Sequence, residues 1–164
     1  MNGRKRTLML KKSISIIGWI VVFQLVGYYL GHTTQTSIVT WYQGLHKSSL
    51  TPPSMVFPIV WSILYTMIAL SGWYLWEHRK HPDAKFALIF YFTQLALNWA
   101  WSPLFFSFRL IGLSFICIIS ITLLTLITIL LTKNNFKFSS FMLIPYFIWL
   151  LFASYLNGVL WVLN

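Results

Sequence analysis

The sequence is poor in acidic residues and in charge of either sign. Of 164 residues only Glu77 and Asp83 are acidic, and all charged residues together make up 9% of the chain. Soluble domains carry roughly a quarter charged residues, whereas 58% of this chain is hydrophobic. Such a chain cannot cover itself with polar surface, and it indicates an all-α integral membrane protein. Two carboxylates near one helix end also argue against a proton relay, a paired-carboxylate hydrolase and a charge-lined ion channel.

Cysteine and metal-ligand patterns are scarce as well. The single Cys117 excludes a disulfide framework and a cysteine-based metal cluster, and its apolar surroundings indicate a buried hydrophobe rather than a reactive thiol. The sequence has no Gly-rich phosphate loop. The four histidines lie at segment ends or in loops, and no metal site is predicted from them: His32, His46, His78 and His81.

The charged residues divide the chain into apolar segments of about 20 residues, the length that crosses a bilayer. The start resembles a signal peptide, but no small-x-small cleavage site follows, so we interpret it as a retained first helix. Residues 1–12 are then a basic tail before a five-helix domain over 13–164. The predicted spans are 13–31, 53–76, 86–108, 110–131 and 138–162.

The basic residues are distributed unevenly between the two sides of this predicted bundle. Ten of the twelve lie in the N-terminal tail or in the loops after the second and fourth spans, and only Lys47 and Arg109 lie on the other side. The positive-inside rule therefore places the N-terminus in the cytoplasm and the C-terminus outside. This skew accounts for the net charge of +10 without a nucleic-acid partner.

The connection over residues 33–52 is the only long one, and it carries Trp41 and Tyr42. Aromatic residues at a membrane interface are ordinarily anchors. Long loops in compact proteins are also often functional. Two interpretations therefore stay open, an interfacial belt or a folded lid over the outer mouth of the bundle.

Aromatic and amide residues recur at helical spacing inside three of the spans. Residues four apart share one helix face, and amides are expected to face the interior because they are costly in lipid. Simple packing and hydrogen bonding between helices explain each of these residues equally well. The stripes are Trp61 with Tyr65, Asn98 with Ser102 and then Phe105, and Trp149 with Ala153 and then Asn157.

Three prolines, Pro58, Pro103 and Pro145, lie inside or near the start of spans. Proline removes a backbone hydrogen bond and bends a helix. Three bent helices would leave an uncharged cavity lined by rings and a few amides. Such a cavity suits a large, flat, apolar ligand.

Spaced motifs from Trp41 to the end of the chain resemble the TspO/MBR family, the bacterial relatives of the mitochondrial translocator protein. The motifs are Trp41-Tyr42-x-x-Leu45, Lys47-Ser48-x-x-Thr51-Pro52-Pro53, Phe57-x-x-Val60-Trp61-x-x-Leu64-Tyr65, Leu97-Asn98-x-x-Trp101-Ser102-x-x-Phe105-Phe106 and Pro145-Tyr146-x-x-Trp149-x-x-Phe152-Ala153-x-x-Leu156-Asn157.

The resemblance implies a five-helix protein of the bacterial cell membrane, often a homodimer, that binds porphyrins and haem as ligands rather than as obligatory cofactors. Some members promote light- and oxygen-dependent breakdown of protoporphyrin IX. By motif position that chemistry would fall on Trp61 and Trp149. The ligand contacts that the resemblance implies are Trp41, Tyr42, Trp61, Asn98, Ser102, Trp149 and Ala153. The helical stripes add Tyr65 and Phe105 to the expected contacts.

The chain departs from the family pattern at two points. Ser48 stands where the family usually has proline, which is expected to loosen the loop, and no basic residue follows Tyr155. The missing basic residue breaks a weak sterol motif and argues against sterol binding.

Two functions stay open at this point. One is a tetrapyrrole-binding protein with photo-oxidative activity, and the other is a translocator or sensor of porphyrins or other small apolar ligands. The homodimer follows from the resemblance. The small-residue pairs Gly27 with Gly31 and Ala96 with Ala100 permit close helix approach, either between two copies or within one bundle.

Overall fold

The computed structural model describes residues 2–164, with side chains from Arg6 onward. Met1 and the side chains of Arg4 and Lys5, which belong to the predicted basic tail, lie outside the described residues. The described chain forms five long helices joined by short connections, with a 3-10 turn at Tyr42–Gly44 and a π-helical segment at Pro103–Ser107. The helices are α1 (Asn2–Thr40), α2 (Val56–Glu77), α3 (Ala84–Ser102), α4 (Ile111–Thr132) and α5 (Lys137–Leu163).

Successive helices run in opposite directions, which gives the bundle two distinct ends. At the basic end, the α2–α3 and α4–α5 connections meet, and Asn135 Nδ2 donates to Asp83 Oδ2 over 2.6 Å. At the opposite end, which we call the loop end, His46 N donates to Asn164 Oδ1 (2.9 Å) and Asn164 Nδ2 donates to the His46 carbonyl (3.0 Å). The topology places ten of the twelve basic residues on the basic end, as the charge pattern predicts. The membrane face that each end meets stays a prediction.

Helix α1 is longer than the predicted span 13–31 at both ends. Its 39 residues make a rod of about 58 Å, about twice the hydrocarbon thickness of a bilayer. The polar residues after Gly31 do not end it, because the Thr33 and Thr34 hydroxyls donate to the carbonyls of Leu30 and Gly31, each over 2.9 Å. The predicted tail 1–12 and loop 33–52 are therefore corrected: the helix includes Asn2–Lys12, and the connection to α2 covers only 41–55. Charge marks where a span leaves the membrane, whereas backbone hydrogen bonding decides where the helix ends.

Four of the five helices in the described part of the chain are long and apolar enough to span a membrane, and α3 is the exception. Helix α3 carries Gln94 and Asn98, which are 1% and 6% exposed. Their amides face neighbouring helices instead of lipid, so α3 needs less overall hydrophobicity. The structure is an all-helical membrane bundle, as predicted.

The three prolines have different structural effects. Pro58 lies in the first turn of α2, where a helix has no backbone bond to lose. Pro145 lies inside α5, and Pro103 opens the π-helical segment. The predicted third span, 86–108, therefore corresponds to α3 together with this segment. The segment places Phe105 inside the protein, where it is 1% exposed.

Candidate ligand-binding site in the bundle

Facing stripes of α2 and α5 place both predicted catalytic tryptophans against the core. Trp61 and Trp149 are half-buried and pack on the buried cluster rather than pointing away from it. The Trp61 ring lies 5.4 Å from the Tyr65 ring and 6.3 Å, edge to face, from the Tyr146 ring. Trp149 contacts the Phe57 ring at 6.0 Å, so the two indoles lie about one turn apart on adjacent helices.

A chain of buried hydrogen bonds connects α2, α3 and α5 beside these indoles. The Tyr65 hydroxyl donates to Asn98 Oδ1 (3.1 Å), and Asn98 Nδ2 donates to the Tyr146 hydroxyl (2.9 Å). The Tyr146 hydroxyl in turn donates to Gln94 Oε1 (3.1 Å). We call Trp61, Tyr65, Asn98, Tyr146 and Trp149 the interior cluster. Since a polar group in lipid must find a partner within the protein, this chain fixes the relative positions of three helices.

Two members of this hydrogen-bonded chain, Gln94 and Tyr146, were not among the predicted site residues. Gln94 extends the Asn98–Ser102 stripe of α3 by one turn towards its start, so the same spacing of four would have found it. Tyr146 lies three residues before Trp149 on the same face of α5. The Gln94 Nε2 group is buried and has no acceptor among the described residues.

A second group of rings lies at the loop end. The Phe105 ring is 5.4 Å from the Trp41 ring and 6.0 Å from the Tyr42 ring, and it stacks on Trp101 at 5.1 Å with planes 11° apart. Phe106 contacts Tyr42 at 5.8 Å. We call these five residues the loop cluster. These contacts pack the 41–55 connection against the π-helical segment, and its role as a lid or as an interfacial belt stays a prediction.

The loop cluster is also fixed to α4 and α5. Trp101 Nε1 donates to the Ser114 carbonyl and to Asn157 Oδ1, each over 3.1 Å. Asn157, predicted to face the interior, is 2% exposed and acts as a hydrogen-bonding link between helices. Ser48, which stands where the family usually has proline, has a hydroxyl hydrogen-bonded to the Tyr155 hydroxyl (3.0 Å) and accepting from Leu50 N (3.1 Å). Both bonds are exposed, and the expected loosening of the loop stays a prediction.

The structure thus divides the predicted ligand contacts between two clusters. Tyr65, Asn98 and Trp149 lie in or beside the interior cluster, with Ala153 one turn further along α5. Trp41, Tyr42 and Phe105 form the loop cluster, and half-buried Ser102 lies between the two along α3.

Two open grooves of the described chain lie on the outer faces of the bundle. One, of about 630 Å³, lies along α4 and α5 beside Phe115 and Trp161. The other, of about 420 Å³, lies between α1 and α3. The predicted aromatic cavity is not one of them, because the rings and amides of the interior cluster pack against one another.

The two basic residues of the loop end both lie over rings of the loop cluster. Lys47 Nζ is 4.9 Å from the centre of the Tyr42 ring, and Arg109 Cζ is 5.7 Å from the centre of the Trp41 ring. Cation–π attraction holds a charge at this distance. Arg109 has a left-handed backbone (φ 57°), which costs about 1 kcal/mol or more for a residue with a Cβ. Burial raises the pKa of the Tyr42 hydroxyl above its ordinary value, so this phenol stays protonated at neutral pH.

Sequence comparison assigns the fold and the site to a family. Residues 19–162 match the TspO/MBR family. The chain is 33% identical over 151 residues to the Tryptophan-rich protein TspO of Archaeoglobus fulgidus, covering 92% of this chain and 97% of that protein. It is 31% identical to the Tryptophan-rich protein TspO of Bacillus cereus, covering 95% and 100%. It is 32% identical to the human Translocator protein, covering 74% and 73%.

Relatives with these names support a role as a membrane sensor or translocator, and the bacterial relatives support a bacterial origin. The match covers both aromatic clusters, helices α2 to α4, most of α5 and α1 from residue 19 onward. The chain is a multi-pass integral membrane protein that belongs to the TspO/MBR family.

Proposed function

We propose that the protein binds a porphyrin between the interior cluster and the loop cluster and promotes its oxidation in light. The observation that carries the proposal is the placement of Trp61 and Trp149 on facing helices, half-buried and next to a fixed chain of hydrogen-bond donors. Indole and phenol rings stack well on a flat conjugated ligand. Because the interior cluster is packed, the loop cluster must move aside to admit the ligand.

Two cations at the loop end favour an anionic ligand. The sequence predicts an uncharged site, but Lys47 and Arg109 lie over the rings that would cover a bound pigment. Protoporphyrin IX carries two propionate carboxylates, and Lys or Arg binds a carboxylate by charge-assisted hydrogen bonds. We therefore place the propionates at the loop end and the apolar edge of the ring towards Trp61.

The metal-free porphyrin fits this site better than haem. Haem iron is ordinarily held by a histidine, cysteine, methionine or tyrosine. The interior cluster contains no histidine, cysteine or methionine, and the Tyr65 and Tyr146 hydroxyls are used in hydrogen bonds. Titration with protoporphyrin IX and with haem should give the lower Kd for protoporphyrin IX.

Photo-oxidation needs no acid or base from the protein. Light excites the pigment, and the excited pigment transfers one electron to oxygen; the superoxide formed adds to the pigment radical cation, so both oxygen atoms enter the oxidised product and no external reductant is needed. The two indoles hold the pigment and stabilise its radical cation by stacking on it. The test is the loss of the Soret band of protoporphyrin IX in light, with wild type and with Trp61→Phe/Trp149→Phe. We expect the double variant to slow the loss severalfold while dark binding changes less.

The matched control is Trp76→Phe/Trp161→Phe, which removes two exposed indoles outside both clusters. Equal bleaching rates in all three proteins would eliminate the catalytic role and leave binding standing. Absence of Soret shift and Trp quenching in the dark would eliminate porphyrin binding itself.

The role of the cations is tested with an uncharged ligand. Protoporphyrin IX dimethyl ester lacks both carboxylates, so Lys47→Gln/Arg109→Gln should weaken binding of the acid about tenfold and leave the ester unaffected. Lys133→Gln/Lys137→Gln removes the same charge at the basic end and should change neither. Equal losses for acid and ester would show that the cations act only on the loop fold.

A translocator function is the second candidate, because relatives carry that name. Its distinguishing result is uptake of chemically unaltered porphyrin into sealed vesicles that contain the protein. Uptake in the dark, without pigment loss in light, would replace photo-oxidation by transport.

A further inference from the structure

A second candidate feature lies between α1 and α3, and its lining residues belong to neither aromatic cluster. It is the groove of about 420 Å³ between α1 and α3. Its walls are almost entirely apolar and include Gly18, Trp19, Phe23, Phe92, Ala96 and Trp99. Ring contacts stiffen it, with Trp19 at 6.4 Å from Phe92 and Phe23 at 5.8 Å from Trp99.

Two small residues, Gly18 on α1 and Ala96 on α3, line the groove. A Cβ added at Gly18 would meet nothing within 4 Å, so the space over this residue is open. Ala96 on α3 is exposed. An acyl chain is narrow and flexible, and a slot with rigid aromatic walls over small residues matches its shape.

Cations lie at the end of the groove nearest the basic end. Lys12 and Trp19 are seven residues apart on α1, and Lys85 and Phe92 are seven apart on α3, so each lysine shares the face of a groove residue. Seven residues correspond to about 10 Å along a helix. Arg79 adds a third positive charge, because its guanidinium lies 5.1 Å from the centre of the Trp76 ring, and that ring contacts Phe92 at 6.2 Å.

These three charges are not neutralised within the described chain. The only ion pair among the described residues joins His81 and Asp83, and Asp83 also accepts a hydrogen bond from Asn135. Lys12 is instead 5.3 Å from the centre of the Trp73 ring. This ring keeps the Lys12 ammonium beside the protein surface at the basic end without neutralising its charge.

We propose that this groove is a binding site for an anionic glycerophospholipid, with one acyl chain along α1 and α3 and the phosphate between Lys12, Lys85 and Arg79. The charge at one end and the apolar slot beside it match the two parts of such a lipid. Phospholipid phosphates attract basic residues near the membrane surface. A zwitterionic lipid of the same chain length fits the slot but leaves the cations less well neutralised. This site is independent of the proposed porphyrin function.

The test is native mass spectrometry of the detergent-solubilised full chain, titrated with phosphatidylglycerol or phosphatidylcholine of identical acyl chains. We expect one tightly retained phosphatidylglycerol per chain and at least about tenfold weaker retention of phosphatidylcholine. Lys12→Gln/Lys85→Gln should weaken phosphatidylglycerol retention about tenfold or more. Lys133→Gln/Lys137→Gln removes the same charge at the same end on other helices, and it should have little effect.

A second pair of variants tests the slot separately from the charge. Gly18→Leu fills the groove and should lower retention of both lipids. Gly31→Leu places the same side chain on α1 at another open position and should lower neither. Both glycines have open space around them, so both variants are expected to fold, which the helical circular dichroism signal checks.

Three results would overturn the proposal. Equal losses of phosphatidylglycerol retention in the Lys12/Lys85 and Lys133/Lys137 variants would mean that the lipid is attracted to positive charge in general. Equal retention of the two lipids would mean that the phosphate is not recognised. A dimer that Gly18→Leu dissociates, with no lipid retained by the wild type, would mean that the groove holds a second copy of the chain.

Discussion

The interior cluster and the loop cluster are similar in composition, but different contacts hold them in place. Buried hydrogen bonds between helices fix the interior cluster, in which Tyr65 and Asn98 are 7% and 6% exposed. The 41–55 connection beside the loop cluster is attached to α5 mainly through exposed groups, the Ser48–Tyr155 and His46–Asn164 contacts. Exposed hydrogen bonds exchange easily with water and contribute little, whereas buried ones are costly to break. One wall of the proposed site is therefore rigid and its cover is weakly attached.

The largest expected effect comes from disturbing the rigid side. A Cβ at Gly72 would overlap the Tyr91 hydroxyl, which donates to the Ile68 carbonyl. Gly72→Ala should therefore lower the free energy of unfolding by about 2 kcal/mol or more, measured by thermal unfolding in detergent. Gly31→Ala, at an open position of α1, is the control. Equal melting temperatures for the two variants would contradict the packing described here.

The next effect is the loss of the central amide of the interior cluster. Asn98→Leu leaves the Tyr65 and Tyr146 hydroxyls each without one partner, and we expect a loss of about 1–3 kcal/mol. Ser48→Ala removes an exposed loop bond and should cost less than about 1 kcal/mol. Chemical unfolding of both variants in the same detergent compares them directly. A larger loss for Ser48→Ala would reverse the assignment of the rigid and the weakly attached regions.

Loop attachment should control the kinetics of ligand exchange more than stability. Ser48→Ala/Asn164→Ala removes the contacts of the connection with Tyr155 and the chain end. We expect bound protoporphyrin IX to dissociate severalfold faster, measured by stopped-flow fluorescence, with little change in melting temperature. An unchanged dissociation rate would show that the loop cluster does not cover the ligand.

The smallest effect is a pH dependence at the loop end. Burial raises the pKa of Tyr42, so folding favours its neutral form. The resulting stabilisation is present below the ordinary tyrosine pKa of about 10 and is lost as the pH rises through the raised value. Porphyrin dissociation should accelerate in this alkaline range in the wild type and not in Tyr42→Phe. The same acceleration in both proteins would assign the effect to another group.

Periodicity and charge position predict the helices well but not their ends. The predicted fourth and fifth spans, 110–131 and 138–162, differ by one residue at each end from α4 and α5. The predicted first span, 13–31, lies inside α1, which continues past it because the Thr33 and Thr34 hydroxyls are hydrogen-bonded within the helix. A hydropathy pattern registers these residues only as polar and therefore ends the span too early.

The candidate site was likewise predicted from the sequence only in part. The stripes identify Tyr65 and Asn98, which hydrogen-bond to each other, because spacing along one helix determines which face a residue occupies. Spacing does not determine which faces of different helices meet. It therefore could not separate Trp41 and Phe105 from Trp61 and Trp149, or identify Gln94 as the end of the hydrogen-bonded chain.

The sequence by itself determined that the chain is a helical membrane protein, which of its ends carries the positive charge and which family it belongs to. These properties depend on composition, local periodicity and spacing along the chain. Only the tertiary structure decided that the aromatic residues form two clusters, that Lys47 and Arg109 lie over one of them, and that a groove opens between α1 and α3. The physical reason is that ring packing and buried hydrogen bonds act between helices far apart in the chain.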